Sequence, residues 1–142
     1  MTGIKNDITE TKTAVPVAGN AGDAILLGNS FPLILVRRPV HIEPRRLADL
    51  HAALTGRTIY SFWGHENTLA AVTRILARDV SPKTARPVLS LDKNKLPCLD
   101  GRSFNECWVL SPDYVENFRP ALGQEVPEAA IAAWRVLQIC WQ

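Results

Sequence analysis

The chain has 142 residues, 46% hydrophobic and 21% charged, with a formal net charge of +2 and a pI near 8.6. That is enough chain for one globular domain with its own core, and the mild positive charge suits a small anionic ligand better than long nucleic acid, which asks for a clustered basic face. No apolar run approaches the roughly 20 residues that span a bilayer, so a membrane partner is not expected.

Residues 1–22 are polar, rich in Thr, Ala, Gly and Lys, and hold no apolar signal core. They are expected to be a disordered lead to a single domain over 23–142. Ala24-Ile25-Leu26-Leu27 is a continuous apolar run, as in a strand buried on both faces. It runs into Gly28-Asn29-Ser30-Phe31-Pro32 and then into apolar Leu33-Ile34-Leu35-Val36. Asn29 and Ser30 sit at the end of that strand, where open α/β sheets place ligand contacts. The plain alternative is an Asx turn.

The first helix has Glu43 and Pro44 suited to its opening turn, a stripe of Leu47, Leu50 and Leu54, and Gly56 as its stop. Arg45 and Arg46 are expected on its solvated face, and neither His41 nor His51 has a partner motif. Thr58 to Trp63 then reads as a strand. Thr68 to Ala77 reads as a helix whose Leu69, Val72, Ile75 and Leu76 share one buried face.

Between these two elements lies Gly64-His65-Glu66-Asn67. Gly64 permits a sharp turn and close approach to the backbone. The free amides at a helix N-terminus suit an anion, and a histidine there can donate a proton to what they hold. The plain alternative is a capping turn in which His65 packs on Trp63.

Beyond the second helix, Pro87 to Leu91 reads as a strand, Asp92 to Lys95 as a turn and Leu96 to Arg102 as a loop. Phe104 to Leu110 reads as a strand that ends at Ser111-Pro112. A polar stretch from Asp113 to Gly123 carries Arg119; a short helix from Pro127 to about Ala132 and a strand from Trp134 to Trp141 follow. With no repeat and no linker, the pattern is one mixed α/β domain, a roughly five-stranded sheet with flanking helices. Cys98, Cys107 and Cys140 are an odd number without close zinc-type pairing, as expected of buried reduced thiols in the cytoplasm.

Two strings carry a resemblance: Leu26-Leu27-Gly28-Asn29-Ser30-Phe31 after the first strand, and Ser61-Phe62-Trp63-Gly64-His65-Glu66-Asn67-Thr68 heading the second helix. In their order and spacing the chain resembles the viral ring nucleases, the type III anti-CRISPR proteins that degrade cyclic tetra-adenylate, and their phage and bacterial relatives. The resemblance covers Ala24 to Trp141 in element order. It implies a two-fold homodimer with a cyclic oligoadenylate lying across the axis, and cleavage that needs neither metal nor cofactor and switches off type III CRISPR signalling.

The resemblance makes His65 the general acid for the leaving 5′ oxygen. The substrate's own 2′-hydroxyl attacks, and linear products with 2′,3′-cyclic phosphate ends result. The ligand would meet Asn29, Ser30, the turn residues Gly64, Glu66, Asn67 and Thr68, and Arg119, which aligns with an arginine that contacts the phosphodiester. Where the family carries a glutamate after that arginine, this sequence has Leu122, with Glu66, Glu116 and Glu125 as nearby carboxylates. Two other readings stand beside the enzyme. One is a protein that sequesters a cyclic nucleotide with little or no cleavage. The other is a small viral or mobile-element protein with an unrelated interaction role; for reading DNA, the 68–77 helix offers only Arg74.

Overall fold

The first apolar run becomes β1 (Ala24–Gly28) in the computed structural model, which describes residues 22–142. The expected lead therefore lies outside the described residues, Gly22 apart. All five β1 residues are buried, because the strand is central and covered twice. Ile25 and Leu27 point to one face of the sheet, Ala24 and Leu26 to the other. β1 pairs in parallel with β3 (Thr58–Ser61) on one side and β7 (Glu106–Tyr114) on the other. β8 (Ile131–Trp141) runs antiparallel to β7, and β2 (Val40–Arg45) antiparallel to β8, giving the mixed order β2-β8-β7-β1-β3.

There are five strands in this sheet, but not the five that the sequence pattern marks. Glu43 and Pro44 do not open a helix; both lie in the edge strand β2. An edge strand tolerates proline because one side of its backbone has no ladder to break. Arg45 is accordingly half-buried on β2, where its Nε donates to Gln138 Oε1 at 2.9 Å. The first helix, α1, spans only Leu47–Leu54, with Arg46 at its N-cap donating its backbone N–H to Asp49 Oδ2 at 2.8 Å.

The run Pro87 to Leu91 contributes only β4 (Ser90–Leu91). The segment expected to be a loop supplies β5 (Pro97–Leu99) and β6 (Arg102–Ser103), so that β4-β5-β6 form a second, three-stranded sheet. β7 does not stop at Ser111-Pro112 but continues to Tyr114, since those residues pair with Arg135 and Trp134 of β8. The short helix before the last strand is a single 3-10 turn, Glu128–Ala130. A second 3-10 turn, Leu33–Leu35, follows β1 with Leu33 and Ile34 exposed.

α1 and α2 (Leu69–Leu76) cover one face of the main sheet, where Leu50, Leu54, Val72 and Leu76 pack on Ile25, Leu27, Trp108 and Leu110. The opposite face is covered from the second sheet, with Leu99 and Phe104 packing near Leu26, Phe62, Val109 and Trp141. Each such fully buried aliphatic or aromatic side chain contributes about 1.5–3 kcal/mol, so the double burial of β1 outweighs any surface ion pair. Cys107 is wholly buried on that second face, and burial pushes its thiol well above the ordinary range. Among the described residues no helix is long and apolar enough to cross a membrane.

The second sheet is organised by one carboxylate. Asp92 accepts from Ser103 Oγ at 2.6 Å and from the backbone amides of Asn94 and Leu96 at 2.8 and 2.9 Å. The Ser103 hydrogen bond, then that of Leu96, lowers its pKa below the usual carboxylate value. A lowered folded pKa means stability that is fully present above the unfolded value near 4 and is lost as pH falls through the folded one. Asp92→Ala should therefore lower the unfolding free energy by about 1–2 kcal/mol at neutral pH. The gap from the unaltered protein should narrow below about pH 4, as measured by urea unfolding across pH.

Candidate functional site

Because β1, β3 and β7 are parallel, their carboxyl ends share one edge of the sheet. Asn29 and Ser30 leave β1 there, Trp63 to Asn67 follow β3, and the segment holding Arg119 and Leu122 follows β7. This is the edge at which open α/β sheets collect ligand contacts. The first two segments are joined directly. The Gly64 backbone N–H donates to Asn29 Oδ1 at 2.7 Å. One residue back, Gly28 lies against Phe62 so closely that an added Cβ would stand 2.3 Å from the ring.

The turn itself is held from inside. The His65 carbonyl accepts from Trp63 Nε1 at 3.0 Å, from Thr68 Oγ1 at 2.9 Å and from the Thr68 amide at 3.1 Å. Trp63 Nε1 also donates to Thr68 Oγ1 at 3.1 Å. Trp63 and Thr68 are both buried, so this closed set fixes the backbone of His65 and leaves its imidazole exposed. Beneath it, Ser61 Oγ donates to the Val80 carbonyl at 2.6 Å and accepts from the Trp63 amide at 3.2 Å.

Two sequence expectations change here. The second helix begins at Leu69 rather than Thr68, after a 3-10 turn over Glu66–Thr68. The amides of Thr68 and Leu69 are spent on the carbonyls of His65 and Glu66. The fan of free amides expected at the helix start is therefore smaller. Gly64, in turn, has no left-handed backbone, and an added methyl there would meet nothing nearer than Asn29 Oδ1 at 3.7 Å. Neither conformation nor crowding demands glycine at that position.

Gly64, His65, Glu66 and Asn67 form one wall of a cleft of about 750 Å³, faced by Ala85, Arg86 and residues Leu122 to Glu125. That volume is ample for a nucleotide-sized ligand. The 122–126 segment is tied to the turn by the Val126 amide, which donates to the Asn67 carbonyl at 2.6 Å, and by burial of Val126. Arg74 of α2 pairs with Glu125 at 3.7 Å and Glu128 at 3.1 Å. Those pairs are about half-exposed and contribute at most about 1 kcal/mol, so the buried valine and its hydrogen bond are the main anchor.

Of the residues singled out in the sequence, His65, Gly64, Glu66 and Asn67 line the cleft, and Asn29 joins it through Gly64. Ser30 is exposed beside Asn29. Thr68 is wholly buried and its hydroxyl is used inside the turn. Arg119 is exposed three residues ahead of Leu122, and its Nη1 donates to the Phe118 carbonyl at 3.1 Å. Leu122 is fully exposed in the lining, with Glu66 and Glu125 as the carboxylates of the same cleft. Glu116 stands outside the lining.

The sequence pattern did not single out the segment between Pro82 and Pro87, which carries Lys83 and Arg86 and supplies a wall. Two prolines bracketing two cations after a helix were the signal available. Among the described residues no three His, Cys, Asp or Glu side chains gather into a metal-binding group. No protein-family model and no curated protein matches this sequence.

Thr68 serves the turn from within, so Thr68→Val should lower unfolding free energy by about 1–3 kcal/mol through the groups it leaves unsatisfied. Chemical denaturation checks this, and a variant as stable as the parent would remove Thr68 from the support of His65.

Proposed function

We propose that this protein is a ring nuclease that binds a cyclic oligoadenylate, most simply cyclic tetra-adenylate, and opens it without a metal or cofactor. The observation that carries the reading is His65: an exposed imidazole on a rigidly held turn, in the wall of a cleft at the carboxyl edge of the parallel strands. The resemblance of the Gly28-Asn29-Ser30 and Gly64-His65-Glu66-Asn67 strings to the viral ring nucleases supports the same assignment.

In this mechanism the ribose 2′-hydroxyl gives up its proton to solvent as its oxygen attacks the adjacent phosphorus, and the P–O5′ bond breaks. Protonated His65 gives its proton to the departing O5′, which becomes a 5′-hydroxyl, and the 2′,3′-cyclic phosphate forms at the other end of the opened, now linear chain. Asn29, Ser30 and the Gly64–Asn67 turn hold the ring, and Arg119 supplies a guanidinium to a phosphate from the loop that also carries Leu122. One protomer presents a single set of these groups. A homodimer in the cytoplasm, with the ring across its two-fold axis, supplies the second. Proton donation of this kind contributes about 10²–10⁴-fold, and alignment of the 2′-hydroxyl adds to it.

A second reading, sequestration with slow cleavage, is favoured by one observation: the side chain presented to the cleft where the family carries a glutamate is the fully exposed Leu122. Incubation with labelled cyclic tetra-adenylate in EDTA separates the two readings. Cleavage to cyclic-phosphate ends supports the enzyme, tight binding with an intact ring supports sequestration, and no binding overturns both.

His65→Ala should leave unfolding unchanged, because the side chain is exposed, while single-turnover cleavage falls by roughly 10²-fold or more and binding is largely kept. An unchanged rate in the folded variant would remove His65 from the chemistry. Arg119→Ala should weaken ring binding by about 1.5–3 kcal/mol, read by titration; undiminished affinity would take that loop arginine out of the site.

A further inference from the structure

A second recess of about 310 Å³ adjoins the main cleft and shares Gly64, Glu66, Leu69 and Ala85 with it. Leu69 and Pro82, both half-buried, give it apolar surface beside the edge of the buried Trp63, of the kind on which a nucleobase is packed. Among the described residues that line it, Lys83 is the one cation and Glu66 the one anion. Lys83 is exposed and makes no hydrogen bond or ion pair among the described residues. A phosphate entering this region must keep clear of the Glu66 carboxylate, so the lysine decides where it rests. The segment from Pro82 to Ala85 borders the recess, and its next residue, Arg86, lines the main cleft. A strand of nucleotides lying along that wall therefore passes from one cavity into the other.

We propose that the recess is a subsite for the nucleotide next to the one acted on at His65, with Lys83 binding its phosphate and the Leu69 and Pro82 surface packing against its base. The inference rests on reading the main cleft as a nucleotide site and adds what that reading lacks: a built position for a second nucleotide, and so selection for ligands of two or more linked phosphates. Lys83 is a positioning residue, since it meets a phosphate that does not react.

The test compares linear 5′-phosphorylated diadenylate with AMP, by titration at several salt concentrations, in the parent protein and in Lys83→Ala. The parent should bind the dinucleotide about tenfold or more tightly than AMP, as one additional charge-assisted phosphate contact provides. Lys83→Ala should abolish that preference while leaving AMP affinity unchanged, and should reduce the slope of log affinity against log salt by about 0.7 for the dinucleotide. Lys83→Arg should restore both.

Equal affinity for the two ligands in the parent, or failure to bind either at millimolar concentration, would overturn the subsite. A dinucleotide preference that survives in Lys83→Ala would overturn the role of Lys83. Cyclic tetra-adenylate titrated alongside keeps the two readings apart. A parent that ignores the ring yet shows the lysine-dependent dinucleotide preference has the subsite without being a ring nuclease. A parent that cuts the ring with no dinucleotide preference is a ring nuclease without the subsite.

Discussion

A strand with no polar side chain on either face can sit only where two layers cover it, and β1 imposes that requirement on the rest of the molecule. Ile25 and Leu27 need the two helices; Ala24 and Leu26 need the second sheet with Leu99 and Phe104. The parallel neighbours β3 and β7 satisfy its backbone along both edges. Once β1 is central, its carboxyl end opens between the ends of two parallel neighbours. Asn29, the His65 turn and the segment after β7 are then neighbours without any further instruction. The 2.3 Å that would separate a Gly28 Cβ from the Phe62 ring records how closely the first two of those segments are packed.

Rigidity at His65 comes from side chains that are turned inward. Trp63 and Thr68 are buried and spend their polar atoms on the His65 carbonyl. In a low-dielectric setting such a closed polar set is costly to open, because each broken bond strands a desolvated group. The exposed imidazole therefore stands on a fixed backbone while its ring is free to meet solvent or a ligand, an arrangement suited to proton donation. The far wall is built differently. Residues 122–126 are fastened at Val126, and the 82–87 segment runs between two prolines with most of its side chains exposed. One wall of the cleft is thus set by core packing and the other by loops, which is where adjustment to a bound ligand would be cheapest.

Much of this was legible in the residues. The unbroken apolar run at Ala24–Leu27, the Leu47, Leu50, Leu54 stripe and the apolar face of the second helix each announce their element, because period and composition are local properties. The same holds for the exposed turn between Trp63 and Thr68, where Gly64-His65-Glu66-Asn67 interrupts two apolar elements. Edge strand β2 was not legible. Glu43-Pro44 before a leucine stripe satisfies the rules for a helix start, and only pairing with β8 draws those residues into a sheet. The 96–103 segment was likewise hidden, since β5 and β6 are two or three residues long and exist through the hydrogen bonds that Asp92, Ser103 and Phe104 make around them.

For the site, the division falls along sequence separation. Local pattern determined that His65 would be presented on a turn at the end of a strand, and that Asn29 would follow a buried one. Tertiary structure alone decided that Asn29 Oδ1 would take the Gly64 amide 35 residues away. It also decided that Thr68 would turn inward, that Arg86 and Leu122 would close the cleft, and that Lys83 would line the recess beside it, all three from segments with no periodic signal of their own. The physical reason is that a hydrophobic period records which face of an element is buried, while a cleft is the space left between elements once their buried faces have met.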